Sequence, residues 1–302
     1  MSIAFRGAYT AIVTPFSADG SSVDFARLEE QVRFQGQGKV TGVVPCGTTG
    51  ESPTLSDEEQ REVIATTLRV ARPLGLQVVA GAGSNNTVHA VEMHRYAKSA
   101  GADASLQVSP YYNKPSQEGL YRHFMTIADS CDLPIMLYNI PGRCGVAISP
   151  ETVERLSRHP NIKAIKEATG SMDSASEIAQ RCGITILSGD DSLTLSFAAC
   201  GSQGVVSVVS NLVPATVQSL CDAFLGDRFN EAKRIHRELF RLCRGLLTLD
   251  INPVPVKTAM RILGRDSGVL RLPMVGPGKD VAAKIGELLA EFGLKRLEAV
   301  TA

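Results

Sequence analysis

The chain contains no apolar run near the roughly 18 residues that a membrane-spanning helix needs, so no helical span is expected. It has no surplus of either charge. Its 31 basic and 31 acidic residues give a formal net charge of zero, which removes the electrostatic case for nucleic acid or an anionic membrane surface. The N-terminus, MSIAFRGAYTAIVTPF, lacks the basic stretch and long apolar core of a secretory signal, so export is not expected. There is no CxxC: Cys46, Cys131, Cys144, Cys182, Cys200, Cys221 and Cys243 are odd in number and scattered. That spacing argues against a disulfide or zinc framework and for the reduced thiols of a cytoplasmic protein. The five histidines, His89, His94, His123, His159 and His236, form no HExxH, and no metal site is expected. No GxGxxG opens a helix, so the fingerprint of a dinucleotide-binding sheet is missing.

What is present is ordinary globular composition over 302 residues, 44% hydrophobic and 21% charged, enough for one large domain or a domain with an appendage. Short apolar or β-branched runs recur eight times, at 8–16, 42–47, 77–83, 104–110, 134–141, 162–168, 184–190 and 204–211. Most gaps read as amphipathic helices. SDEEQREVIATTLRVA (56–71) opens with the capping-box spacing Ser56 to Glu59, and SPETVERLSRH (149–159) has Pro150 at its first helical position. Eight strand–helix units predict parallel strands with helices outside, a (β/α)8 TIM barrel. A doubly wound open sheet is the alternative, and the even spacing favours closure. From about Val213 the pattern turns helical, with FNEAKRIHRELFRLCRGLL (229–247) and DVAAKIGELLAEFGLKRLEAV (280–300) joined through NPVPVK (252–257). The expected organisation is a barrel over residues 1–228 carrying the active site and a tightly packed C-terminal helical extension over 229–302.

In such a barrel the chemistry sits where the strands end. Those ends carry Thr14, the GTTGE turn (47–51), Tyr111 and Tyr112, Tyr138, Lys166, Asp190 and Ser210. They offer no histidine, one cysteine (Cys46) and no carboxylate cluster, which leaves Lys166 as the natural nucleophile. Ile162, Ala164 and Lys166 fall at period two, so one strand face is predicted to carry all three inward. An exposed lysine has a pKa near 10.4, and burial disfavours the ammonium in favour of the nucleophilic amine that Schiff-base chemistry uses. Snorkelling at a strand end, or pairing with Glu167, is the alternative reading of a lone lysine. Tyr138, third after Pro134 and Met136 on the preceding strand, is predicted beside Lys166, where a phenol can carry protons; a core tyrosine is its alternative. Tyr111 and Tyr112 are adjacent, so in extended chain one faces the site and the other a partner surface. Thr48 and Thr49, between Gly47 and Gly50, form either a plain turn or a cradle for a small carboxylate. Arg143 in YNIPGR is either a solvated loop arginine or a bidentate carboxylate binder.

GTTGES (47–52), SPYYNKPSQEGLYRHF (109–124), LYNIPGR (137–143), IKEATG (165–170), LSGDD (187–191) and NPVPVKTAM (252–260) occur in order over nearly the whole chain. Together they resemble the dihydrodipicolinate synthase family, within the pyruvate-dependent class I aldolases and lyases. The resemblance implies a lyase that condenses pyruvate with L-aspartate-4-semialdehyde in diaminopimelate and lysine biosynthesis. By the same resemblance, Lys166 forms the Schiff base, Tyr138 donates and accepts protons, and Thr48 links Tyr138 to Tyr112 of the adjacent subunit. Thr49 and the backbone of Val206 hold the pyruvate carboxylate, and Arg143 holds that of the semialdehyde. It implies no cofactor beyond the covalent imine, no metal, a cytoplasmic location and a homotetramer built as a pair of tight dimers. Two other readings stand beside it: a lyase of the same superfamily acting on sialic or keto-deoxy sugar acids, and a keto-acid-binding barrel without turnover.

Lysine-inhibited members of that family have an allosteric pocket at positions matching Ser52, Pro53, Asp57, Asn85, His89 and Tyr111. They usually carry glutamate where this chain has His89. An imidazole is a poor partner for an ammonium, so weak or absent feedback by lysine is expected.

Overall fold

The computed structural model describes residues 3–296. Eight parallel strands close in sequence order, β8 returning to β1: β1 (Gly7–Ala11), β2 (Gly42–Val44), β3 (Gln77–Gly81), β4 (Ala104–Val108), β5 (Ile135–Asn139), β6 (Ile162–Glu167), β7 (Thr185–Ser188) and β8 (Gly204–Ser207). This is the expected (β/α)8 barrel. Each apolar run matches one strand, β1 starting one residue ahead of its run, and every strand stops before its run does, leaving the remainder to the loops above the barrel.

Helices α1 (Phe25–Gln37), α2 (Asp57–Ala71), α3 (Thr87–Ala100) and α4 (Gln117–Ser130) follow the first four strands. Short α5 (Pro141–Cys144) and α6 (Pro150–Ser157) follow β5, and α7 (Met172–Arg181), α8 (Thr194–Ala199) and α9 (Pro214–Leu225) follow the last three. The chain continues through α10 (Phe229–Thr248), α11 (Val254–Ile262) and α12 (Lys279–Glu291). Start signals act as their chemistry dictates. Ser56 Oγ accepts from Glu59 N while the Glu59 carboxylate accepts from Ser56 N, closing a reciprocal cap on α2. Ser149 caps α6 with Pro150 at its first position. The helix expected over 280–300 ends early, at Glu291. Gly293 takes a left-handed φ of +77° and Leu294 N returns to Leu289 O, a closure that stops the helix; residues 297–300 lie outside the described residues.

The barrel interior is filled by Tyr9, Val44, Val79, Leu106, Met136, Ala164, Leu187 and Val206. Closure depends on backbone proximity at one seam, where a Cβ on Gly204 would lie 2.0 Å from Gly7 O. The last three helices share one apolar core with the barrel: Leu239, Leu242, Met260 and Leu289 join Val205, Val208 and Leu212. The predicted inward row on β6 is corrected at its first member. The register with β5 shifts between Ile135 and Met136, so Lys163 is spare and exposed, and Ile162 packs outward with Leu156 and Ile178. Strict alternation holds only from Ala164 to Lys166. No helix among the described residues is long and apolar enough to cross a membrane.

Candidate active site

Tyr138 and Lys166 are direct neighbours in the β5–β6 register, 4% and 5% exposed. Lys166 Nζ lies 4.0 Å from the centroid of the Tyr138 ring, over its face. Met136 and Ala164 fill the barrel one step below, so the amine stands on an apolar floor at the strands' C-terminal end. Glu167 does not pair with it. That carboxylate accepts from Asn139 Nδ2 at 3.0 Å and Thr169 N at 2.9 Å, and burial pushes its pKa up against the pull of these bonds. Asn139 also accepts from Ile148 N and donates to Ile148 O, tying the loop that carries Arg143 to the top of β5.

The GTTGE turn after β2 is held by backbone bonds from Glu51 N to Thr48 O and from Ser52 N to Gly47 O. A Cβ on Gly50 would meet Ile12 O, Cys46 N and Thr14 Oγ1 at 3.2 Å, which is why the turn packs so closely on β1. Thr48 is half-buried; Thr49 is buried, and its hydroxyl oxygen accepts from Asn252 Nδ2 at 3.0 Å. Arg143 projects from α5 and donates from Nη2 to Asn252 O at 2.8 Å. Val206 lies inside the barrel opposite Tyr9.

The two tyrosines after β4 do not follow extended alternation. Tyr112 has φ +73°, which turns the chain, and Asn85 and Asn113 hold the loop through bonds to Tyr111 O and Asn85 O. Both phenols are exposed, Tyr112 by 91%, so within one chain Tyr112 is not packed against Tyr138. The residues matching an allosteric pocket share this rim. His89 Nε2 stands 3.7 Å from Asp57 Oδ1, its Nδ1 stands 3.9 Å from Glu92, Asn85 donates to Tyr111 O, and Ser52 opens the short turn before Asp57. All seven cysteines are free thiols, and no three His, Cys, Asp or Glu side chains among the described residues group as a metal site.

Two residues given no role from the sequence, Asn252 and Lys257, stand behind the site together with Glu51 of the GTTGE turn. Lys257 carries the same signal as Lys166, a charge in an apolar run (VPVKTAM), and its side chain is fully buried.

A family model described as the dihydrodipicolinate synthetase family matches residues 4–291. The chain belongs to the dihydrodipicolinate synthetase family. It is an enzyme of that family. A 4-hydroxy-tetrahydrodipicolinate synthase of Geotalea uraniireducens is 46% identical over 292 residues, 96% of this chain and 99% of that one. A solved dihydrodipicolinate synthase of Aquifex aeolicus superposes with a TM-score of 0.94 at 42% identity, covering 97% of this chain and 100% of that one. Another, from Cyanidioschyzon merolae and solved with lysine bound, gives 0.93 at 37% identity, covering 96% and 99%.

Proposed function

We propose that this chain is a 4-hydroxy-tetrahydrodipicolinate synthase, condensing pyruvate with L-aspartate-4-semialdehyde on the diaminopimelate route to lysine. The observation that carries the reading is the buried amine of Lys166 under the Tyr138 ring at the barrel mouth. Lys166 Nζ attacks the keto carbon of pyruvate, and water leaves as the imine forms. The protonated imine draws electrons from the adjacent methyl, which loses a proton to give the enamine. The enamine carbon adds to the aldehyde, the substrate's own amine then attacks the imine carbon, and Lys166 departs as the ring closes. Tyr138 moves protons through these steps, with Thr48 relaying to Tyr112 of the adjacent subunit. The Thr49 hydroxyl and the Val206 backbone hold the pyruvate carboxylate, and Arg143 holds the carboxylate of the semialdehyde. The imine is the electron sink, so the reaction calls for no cofactor and no metal.

The same reading assigns the chemistry to residues 1–228, makes 229–302 a helical extension, and places the enzyme in the cytoplasm as a homotetramer of two tight dimers. Borohydride reduction in the presence of pyruvate tests the nucleophile. Peptide mass analysis is expected to find a pyruvyl adduct on Lys166, and its absence refutes the assignment. Lys166→Arg is expected to lose both the adduct and turnover, the latter by on the order of a thousandfold or more, because arginine stays protonated. Faster turnover of neuraminate or keto-deoxy-gluconate than of the semialdehyde would move the enzyme to a neighbouring branch of the superfamily.

A further inference from the structure

We propose that Asn252, Glu51 and Lys257 are positioning residues for Thr49, so that the chain entering α11 forms the back of the pyruvate carboxylate site. The inference rests on the synthase reading above and extends it to Asn252 and Lys257, about two hundred positions from the turn they hold. Asn252 Nδ2 donates to Thr49 Oγ1 at 3.0 Å. A hydroxyl carries one proton, and with the amide on its lone pair that proton is left to donate to a further acceptor, such as a carboxylate. Asn252 thereby sets the direction in which Thr49 donates.

Two residues further along, Glu51 pins the end of the same turn. Its Oε1 lies 2.7 Å from Lys257 Nζ and its Oε2 accepts from Arg271 N at 3.1 Å. Glu51 holds a left-handed φ of +53°, a backbone state that needs such support in a residue with a side chain. Lys257 Nζ also donates to Thr14 O at 2.9 Å, and Thr14 Oγ1 donates to Gly50 O at 2.7 Å, so the network returns to the turn it started from. The Glu51 and Lys257 side chains are 2% and 0% exposed. A buried ion pair is a poor source of net stability compared with apolar packing, but its bonds fix direction in a way that packing does not. Direction is what Thr49 requires.

Steady-state kinetics separate positioning from scaffolding. Asn252→Ala is expected to raise the pyruvate KM about tenfold while kcat stays within about threefold. Asn252→Asp is expected to be worse, because its carboxylate takes the Thr49 proton and repels the substrate anion. Glu51→Gln combined with Lys257→Met removes both charges together and is expected to raise the pyruvate KM in the same way. A merely structural contact would lower the melting temperature and leave the pyruvate KM of the folded enzyme unchanged. An unchanged KM in Asn252→Ala, or equal KM values for the Ala and Asp variants, overturns the proposal. If the double variant does not fold, the two Asn252 variants decide the question alone. Failure of the wild type to form a pyruvyl adduct refutes the synthase reading; a normal adduct beside an unaltered Asn252→Ala refutes only the positioning role.

Discussion

Among the described residues two lysines are buried, and their surroundings separate the proposed nucleophile from a strut. Lys257 Nζ is committed to Glu51 and Thr14 O and lies 4.3 Å from the centroid of the Phe16 ring. Lys166 Nζ has the face of Tyr138 beside it, and the neighbouring carboxylate is turned to Asn139 and Thr169. An amine that must attack a carbonyl is needed without such commitments. His89 poses a similar question of partners. Its imidazole stands 3.7 Å from Asp57 and 3.9 Å from Glu92, and an imidazole, neutral or protonated, offers a lysine ammonium no charge to accept it. Lysine is therefore expected to inhibit weakly or not at all in a steady-state assay, and micromolar inhibition would sink this expectation. Introducing the acceptor by His89→Glu should tighten lysine binding about tenfold, the worth of one charge-assisted hydrogen bond. At this scale the sequence was readable where the signal was a residue type on a known face: Lys166 and Tyr138 stand side by side as period-two counting placed them. It was silent on Asn252, whose amide reaches Thr49 across 203 positions, because a contact of that separation leaves no local pattern.

Elements were legible where periodicity and capping chemistry agree, as at the Ser56 cap of α2 and the Pro150 start of α6. They were misread where one backbone torsion or one spare residue breaks the period. The bulge at Lys163 sends Ile162 outward, Gly293 stops α12, and the positive φ of Tyr112 cancels the alternation expected of a tyrosine pair. Alternation counts residues and carries no information about φ. Packing of α3 against β4, and of α4 against α3, has a consequence for acid stability. His94 on α3 bonds Ser105 at 2.8 Å, and His123 on α4 bonds Thr87 at 2.9 Å; each has an Nε2 with no partner among the described residues. Burial pushes both imidazoles down to about 4 from an ordinary 6.5. With the folded value depressed, the unfolded chain binds more protons, so this stabilising contribution is intact above pH 6.5 and is lost as pH falls toward 4. The loss approaches about 1.4 kcal/mol per pH unit for each histidine inside that window. The buried carboxyls of Glu167, Asp191 and Asp266, raised by burial, act with the opposite sign. Melting temperature measured from pH 7 to 4 should therefore fall less steeply in His123→Gln than in the wild type. An identical slope would show that the imidazole is not buried in its neutral form.

For the whole molecule, one chain is not a complete catalyst under the proposed mechanism. Lys166 and Tyr138 are sealed into the barrel mouth, whereas Tyr112 is 91% exposed on a turned loop beside Asn85 and Val88, itself 66% exposed. An exposed phenol has no fixed geometry and relays no protons, so the synthase reading requires a second copy to cover it and receive it. This can be tested without a structure of the assembly. Lys166→Arg and Tyr112→Phe chains are each expected to be nearly inactive alone. Unfolded together and refolded as an equal mixture, they form mixed dimers in half the cases. In a mixed dimer, one site combines an intact Lys166 with an intact Tyr112 from the other chain. Activity should then recover to about a quarter of the wild type, since one site in two works in half of the dimers. If Tyr112 served its own chain instead, every site in the mixture would lack one of the two groups. No recovery on mixing would then place the relay within the protomer and remove the reason for the dimer to be obligatory.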